Sequence, residues 1–329
     1  GQRMIKAKTL ALGVAMGLAM GPLASAADYP SEPIKIIVGF SAGSSIDTVA
    51  RIISENLTKS LGQPVIVENR TGANGMLAAT AVAQADPDGY TVLFSNSSSI
   101  TVNPTLFKDI QYQPLEDFAP ITKVVATPFI LVTNPDNERT DGVTDVASLI
   151  EVARANPGDL SYGSAGIGNL IHIATELLSQ KTDVEMTHIP YKGAAPMEVG
   201  LLSGEIDLAF DTPSGMPQIE AGKLTPLAVS GPDRWPGLPD TPTMMEAGIE
   251  EFDVTFWTGV FMPAGTDPEI VDTFYEAIVA ATEDPATRAK LELQGRPVVP
   301  TPEQFRAEIE QETATAAETI EAAGIVISQ

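Results

Sequence analysis

Apolar strand-like runs alternate with helical patterns along most of the chain. Ile34 to Val38 is a short apolar run, and Asp47 to Leu61 follows with apolar residues at helical spacing. Pro64 to Glu68 predicts the next strand, Gly75 to Ala85 an alanine-rich helix, and Tyr90 to Phe94 a third strand. This alternation is typical of a parallel, doubly wound sheet.

A second series of the same kind begins near residue 129. Its predicted strands are Phe129–Val132, Leu160–Ser164, Met186–Ile189, Ile206–Phe210 and Leu224–Val229. Its predicted helices are Val146–Ala155, Asn169–Ser179 and Met197–Ser203. Two such series predict two lobes, each with its own core.

The last part of the chain is predicted to return to the first lobe. Asp253 to Phe256 and Gly259 to Met262 have strand patterns, and Thr301-Pro302-Glu303-Gln304 is a capping box for a long final helix that ends at Gly324. We therefore predict a first lobe of residues 27–125 plus 252–329 and a second lobe of residues 126–251. The crossings near 124–127 and 251–254 would form a hinge.

The first 26 residues have the pattern of a secretory signal peptide. A basic start precedes the apolar run Leu10 to Leu23, and Ala24-Ser25-Ala26 is a small-residue cleavage signal. The alternative is a membrane anchor, but the apolar run is about 14 residues and a spanning helix needs ~20. We therefore expect a periplasmic protein.

Charge and composition exclude several functions. The formal net charge is -24 at pH 7, which opposes binding to nucleic acid or to anionic lipid. The absence of cysteine excludes disulfides, thiolate chemistry and cysteine-based metal sites. We expect no cofactor.

Three turns rich in glycine and serine fall where a predicted strand gives way to a helix. They lie at Phe40 to Arg51, Asn69 to Leu77 and Tyr162 to His172. Such turns leave backbone N–H groups at the positive end of a helix, where an anion can bind. None has the lysine of a nucleotide-phosphate loop, so a small carboxylate held by amides and hydroxyls is favoured. Simple helix capping by serine is the alternative.

Each charged residue near these turns has a structural alternative to ligand binding. Asp47 lies four residues before Arg51, so the two can pair on one helix face, which we favour over contact between Arg51 and ligand. Arg70 and Lys192 are either ligand contacts or solvated loop charges. The two histidines, His172 and His188, are expected to be structural rather than a metal pair.

Catalytic interpretations find little support. The sequence around Ser164 lacks the glycine two positions before serine that a nucleophile elbow requires. An exported serine hydrolase acting on small esters through Ser164 or Ser45 remains the alternative function, and it would need a histidine base. A transcriptional effector domain or a metal-binding exported protein is a further alternative.

Six ordered motifs resemble the receptors of tripartite tricarboxylate transporters, also called the Bug family. They are FSAGSSIDTVAR from Phe40, ENRTGANG from Glu68, DGYTVLF from Asp88, YGSAGIGNLIHIATELL from Tyr162, HIPYKGAAP from His188 and FWTGVFMPAGT from Phe256. The resemblance covers essentially the whole chain after residue 26.

The resemblance implies an α/β, two-lobed periplasmic binding-protein fold of the type with two crossovers (type II), with mainly parallel sheets flanked by helices. It implies a monomeric receptor, not an enzyme, that captures a small di- or tricarboxylate or aromatic acid and delivers it to a membrane permease. The implied ligand-binding residues are Phe40, Ser41, Ala42, Gly43, Ser44, Ser45, Ile46, Asp47, Ser95, Asn96, Ser97, Ser164, Ala165, Gly166, Asn169, Lys192 and Asp211.

The first turn departs from the family pattern. Ser41 stands where proline or alanine is usual, Ser44 where glycine is common, and Ile46 where threonine or alanine is common. We expect Ser44 to add a donor and Ile46 to add an apolar wall to the site.

Overall fold

The computed structural model describes residues 28–327, and the predicted signal peptide lies outside them. The strands are β1 (Ile34–Val38), β2 (Val65–Asn69), β3 (Thr91–Asn96), β4 (Phe118–Pro128), β5 (Ile130–Thr133), β6 (Ser161–Ser164), β7 (Thr187–Pro190), β8 (Leu208–Asp211), β9 (Thr225–Val229), β10 (Thr255–Pro263) and β11 (Arg296–Pro297). The helices are α1 (Ser45–Leu61), α2 (Met76–Ala83), α3 (Asn103–Leu106), α4 (Pro114–Asp117), α5 (Val146–Ala155), α6 (Leu170–Thr182), α7 (Ala194–Ser203), α8 (Met216–Glu220), α9 (Pro268–Glu283), α10 (Pro285–Glu292) and α11 (Pro302–Ala323). Within this range, no helix is both long and apolar enough to cross a bilayer.

The strands form two sheets, and the predicted two-lobed α/β fold is confirmed. The first sheet has six strands in the order β11-β4-β10-β3-β1-β2, and the second has five in the order β7-β6-β8-β5-β9. β1 is parallel to β2 and β3, and β6 is parallel to β7 and β8, as the alternating pattern predicts.

Each sheet is nevertheless mixed, because the strands that carry the chain between the lobes run the other way. β10 is antiparallel to both β3 and β4, and β5 is antiparallel to both β8 and β9. The chain leaves the first lobe along β4 and returns along β10, so these neighbours must be antiparallel. The same holds for β5, which enters the second lobe, and β9, which leads out of it.

The longest strand, β4, is absent from the sequence prediction. It runs for 11 residues from Phe118 to Pro128, so the first sheet continues to within one residue of β5. At the other crossing, β10 begins at Thr255, where it pairs with Pro128. The lobe boundaries at 125 and 252 remain a prediction. The chain passes from the first sheet to the second between residues 128 and 130, and returns to the first sheet between residues 229 and 255.

Ser230 joins the two crossings. Its buried hydroxyl accepts a hydrogen bond from the Phe129 N–H at 2.8 Å and donates one to the Val254 carbonyl. Its backbone donates to the Phe129 carbonyl and accepts from the Val254 N–H, each at 2.9 Å. Both crossing segments are therefore fixed to the same residue.

The final helix α11 contacts both lobes, although it was assigned to the first. Phe305 and Ile309 near its start join the core on one face of the first sheet. Ala316 and Ile320 near its end belong to the core of the second lobe. The predicted capping box at Thr301 and the stop at Gly324 are both present.

Glu312, in the middle of α11, has a buried carboxyl group. Its Oε2 accepts a hydrogen bond from the Trp257 indole N–H at 2.8 Å. Burial raises the pKa of Glu312 to about 7, despite the opposing effects of Lys123 and the Trp257 bond. Because the folded protein holds this proton from about pH 4.5 to about pH 7 while the unfolded chain releases it, stability falls as pH rises through that window.

We expect Glu312→Gln to remove this loss of stability. A glutamine can still accept the Trp257 bond but carries no charge at any pH. Between pH 5 and pH 8, the free energy of unfolding of the variant should gain about 2–3 kcal/mol on the wild type, since one pKa unit corresponds to about 1.4 kcal/mol and about two units lie between pH 5 and the raised pKa. Urea unfolding followed by far-UV circular dichroism measures this.

The matched control is Glu310→Gln, which changes an exposed glutamate on the same helix. It should follow the wild-type pH profile. A Glu312→Gln profile that also follows the wild type would contradict the assignment of the raised pKa.

Candidate functional site

A cavity of about 600 Å³ opens between the two lobes. Ser45, at the start of α1, and Asn169, immediately before α6, line it from opposite lobes. Thr127 and Phe129 line it at one crossing, and Phe256 lines it at the other. The cavity therefore lies where a two-lobed protein can enclose a small molecule.

Two side chains, those of Ser44 and Asp47, hold the first turn in its shape by accepting hydrogen bonds from backbone N–H groups. The Ser44 hydroxyl caps α1 by accepting from the Asp47 N–H at 3.3 Å. The Gly43 N–H donates to Asp47 Oδ2 at 2.9 Å, with Gly43 at a φ of +87°, which favours glycine. Helix capping by Ser44 thus accompanies a turn whose shape depends on Asp47.

Asp47 is buried and fully paired, which confirms the predicted pair with Arg51. The Arg51 Nε donates to both carboxylate oxygens, at 3.1 and 3.0 Å, and the Asn69 amide donates at 2.8 Å. Burial acts to raise the pKa of Asp47, but the hydrogen bonds that its carboxylate accepts hold the pKa below its ordinary value. Asp47 therefore carries a charge that Arg51 compensates.

Only Ser45 of the predicted first-turn residues lines the cavity. Ile46 is buried in the core of the first lobe and does not line the cavity, so its role as an apolar wall of the site stays a prediction. Ser41 and Ala42 are exposed, and Phe40 is half-buried. Successive residues of a helix are rotated by about 100° around its axis, which explains why Ser45 and Ile46 face different surroundings.

At the end of β3, Ser98 lines the cavity in place of the predicted residues Ser95, Asn96 and Ser97. Ser95, Asn96 and Ser97 are buried, and the Ser97 hydroxyl accepts a hydrogen bond from the backbone N–H of Trp257 at 3.3 Å. The run of serines pointed to this loop, but its π-helical turn from Ser98 to Val102 decides which hydroxyl faces the cavity.

In the second lobe, Ser164 does not line the cavity but accepts a hydrogen bond from the turn that follows β6. Its side chain is 0% exposed, and its hydroxyl lies 2.6 Å from His188 Nε2 and 3.2 Å from the Gly166 N–H. Ala165 and Asn169 line the cavity. Asn169 also caps α6 by accepting from the Ile171 N–H at 2.9 Å.

The two histidines stack on each other beneath this turn. The ring centroids of His172 and His188 are 3.7 Å apart, and His172 Nδ1 accepts from the Gly168 N–H at 3.1 Å. Burial lowers the pKa of both histidines to about 4. They are thus neutral at pH 7, and no metal-binding group of three or more histidine, cysteine or acidic residues is found between residues 28 and 327.

The contact between Ser164 and His188 has the partners of a hydrolytic dyad without the required access. A nucleophile must reach its substrate, and the Ser164 side chain is completely covered. The pair instead fixes the turn that faces the cavity.

The two remaining predicted residues flank the cavity without lining it. Lys192 is exposed, and Ala194 two residues later is the lining residue. Asp211 is 1% exposed, and burial, with Glu198 nearby, raises its pKa to about 8. Its neighbour Thr212 lines the cavity.

Sequence reasoning missed the aromatic part of the lining. Phe129, Phe256 and Trp235 all line the cavity, as does the segment from Glu292, the last residue of α10, to Gly295. The predicted hinge positions, which lie within a few residues of both phenylalanines, were the available signal. Nothing in the sequence pattern pointed to α10, which comes from a distant part of the chain.

Comparison with known proteins places this geometry in a family. Residues 49–325 match the family described as "Tripartite tricarboxylate transporter family receptor". The chain is 38% identical over 291 residues to the protein BugT of Bordetella pertussis, with 88% of each chain covered.

Solved structures agree. An R. palustris protein described with adipate has a TM-score of 0.70 at 34% identity, with 91% of this chain and 99% of that chain covered. MatC from Rhodopseudomonas palustris with bound malate has a TM-score of 0.66 at 30% identity, with 89% and 100% covered. These relatives are solute-binding receptors and not enzymes. The chain belongs to the family of tripartite tricarboxylate transporter receptors.

Proposed function

We propose that this protein is a periplasmic receptor that captures a small carboxylate between its lobes and delivers it to the membrane permease of a tripartite tricarboxylate transporter. The observation that carries the proposal is the meeting of two helix N-termini, those of α1 and α6, at one cavity. Each presents positive N–H groups, and they come from different lobes. Adipate and malate in the related structures are carboxylates of this kind.

The proposed ligand-binding groups are the hydroxyls of Ser45 and Ser98, the Asn169 amide and the backbone N–H groups of both turns. Hydrogen bonds to a charged group contribute about 1.5–3 kcal/mol each. Four of them, less the entropy of binding, give an affinity near micromolar, or about -8 kcal/mol. Local donors can therefore hold an anion on a strongly acidic protein, whose long-range field is screened within ~8 Å in physiological salt.

The proposal includes export and a monomeric state. Residues 1–26 would direct the chain to the periplasm and be removed there. The hydrolase alternative has no comparable support, because the serine that contacts a histidine is buried.

A thermal-shift screen with malate, adipate, citrate and phenylacetate tests the ligand class. At 100 times its dissociation constant, an acid that binds should stabilise the protein by about 2.7 kcal/mol, which is a shift of several degrees at this size. The corresponding methyl esters should give little shift, since helix N-termini favour the anion. Esters that bind as well as the acids, or shifts with sugars or metals alone, would remove the proposal.

Ser45→Ala should weaken the best acid about tenfold or more in calorimetric titration, since one hydrogen bond to the anion, worth about 1.5 kcal/mol or more, is lost. Ser60→Ala near the other end of α1 is the control, because Ser60 is exposed and does not line the cavity.

The Asp47 and Arg51 pair should affect binding indirectly. Arg51→Gln leaves the buried Asp47 carboxylate less compensated beneath the first turn, so affinity for the best acid should fall about threefold to tenfold. Adding Asp47→Asn should restore much of it, because the uncompensated charge is gone. Calorimetric titration of the wild type, the two single variants Arg51→Gln and Asp47→Asn, and the double variant decides: a double variant that stays as weak as Arg51→Gln would mean that Arg51 contacts the ligand.

Binding should close the lobes by rotation about the two crossings. Small-angle scattering with a saturating acid should give a smaller radius of gyration than the free protein. An unchanged scattering profile with an acid shown to bind by calorimetry would argue against closure.

A further inference from the structure

The cavity lining is divided into a polar part and an apolar part. Ser45, Ser98 and Asn169 supply polar groups near the two helix N-termini. The largest apolar side chains of the lining are those of Phe129, Leu170, Ile171, Trp235, Phe256 and Leu293. Glu292 and Gln294 also line the cavity, as do Thr127, Thr212 and Ser214, whose hydroxyls are hydrogen-bonded within the protein. A ligand that fills this space therefore meets hydrogen-bond donors at one end and carbon along its body.

Three aromatic rings come together from three separate segments. Phe129 follows β4 at one crossing, Phe256 lies at the start of β10 at the other, and Trp235 lies in the loop after β9. Phe129 and Trp235 contact the core of the second lobe, and Phe256 contacts the cores of both lobes. The rings are thus held by the fold on the hinge side of the cavity, where Phe129 is buried and Trp235 and Phe256 are half-buried.

The charges of the lining do not suit a second carboxylate. Among the described residues, the lining holds no lysine, arginine or histidine. Its one charged side chain is Glu292, which Arg288 pairs with at 2.9 Å from outside the lining. A second carboxylate placed against the rings would lose water without gaining a cation and would approach Glu292.

Leu293 adds an apolar group at the edge of the cavity. Its side chain is 83% exposed, although it belongs to the lining. A large apolar side chain left in water next to a cavity gains most when a ligand with an apolar body covers it.

We infer that the ligand of this receptor is a monocarboxylate with an apolar, preferably aromatic, body. The carboxylate binds at the N-termini of α1 and α6, and the body packs against Phe129, Trp235 and Phe256. This inference rests on the proposed function, and it separates this chain from the relatives described with adipate and malate, which carry two carboxylates each.

Calorimetric titration with matched acids tests the inference. Hexanoate and adipate have the same carbon chain and differ in the second carboxylate, as do benzoate and terephthalate. We expect each monoacid to bind at least tenfold more tightly than its diacid, with phenylacetate among the tightest. Hexanamide and phenylacetamide, which lack the charge, should bind at least tenfold more weakly than their acids.

Variants at Leu293 sharpen the test without disturbing the core. Leu293→Ala should weaken phenylacetate and hexanoate about threefold, whereas Leu77→Ala, at an exposed leucine outside the lining, should leave both unchanged. Leu293→Lys adds an exposed cation to the apolar end, so the ratio of hexanoate to adipate affinity should fall about threefold.

The outcomes separate the inference from the proposed function. Diacids that bind as tightly as their monoacid partners would overturn the apolar-body inference and leave the carboxylate receptor intact. Amides that bind as tightly as the acids, or no binding by any of the acids, would remove the proposed function and the inference with it.

Discussion

The whole arrangement depends on the two crossings being held side by side. Ser230 does this with its hydroxyl and both of its backbone groups, which bond to Phe129 on one crossing and Val254 on the other. All of these groups are buried, and leaving any of them unpaired would be costly. With the crossings fixed, β4 and β10 pair as antiparallel neighbours, and the rings of Phe129 and Phe256 reach the same cavity.

The two glycine-rich turns that face the cavity are supported by different chemistry. Beneath the first, a charged carboxylate on Asp47 is balanced by Arg51 and accepts the Gly43 N–H. Beneath the second, the neutral, stacked rings of His172 and His188 hold Ser164 and the Gly168 N–H. In both turns a buried side chain accepts hydrogen bonds from backbone N–H groups of the turn, which holds the turn in its shape. Residues that the motifs single out therefore often act through the shape of the turn.

The helix α11 adds a third link between the lobes. Its first half packs on the core of one lobe and its second half on the core of the other. A closing motion must keep or repack these contacts, so the helix limits the range of lobe movement as well as joining the lobes. The carboxyl group of Glu312 lies between these two halves, bonded to Trp257.

The sequence by itself determined the alternating elements, the two lobes, the capping of α1 and α11, and the family. These features follow from local rules: apolar period, capping side chains and ordered motifs act over a few residues. It also located the turns that border the cavity.

Only the tertiary structure decided which side chains line the cavity: Ser45 but not Ile46, Ser98 but not Ser97, and Asn169 but not Ser164. The aromatic rings and the Glu292–Gly295 segment likewise meet only after folding, because they are brought together by strand crossings and helix packing between residues far apart in the chain. Orientation of a side chain relative to a cleft depends on both lobes at once, and no local pattern encodes it.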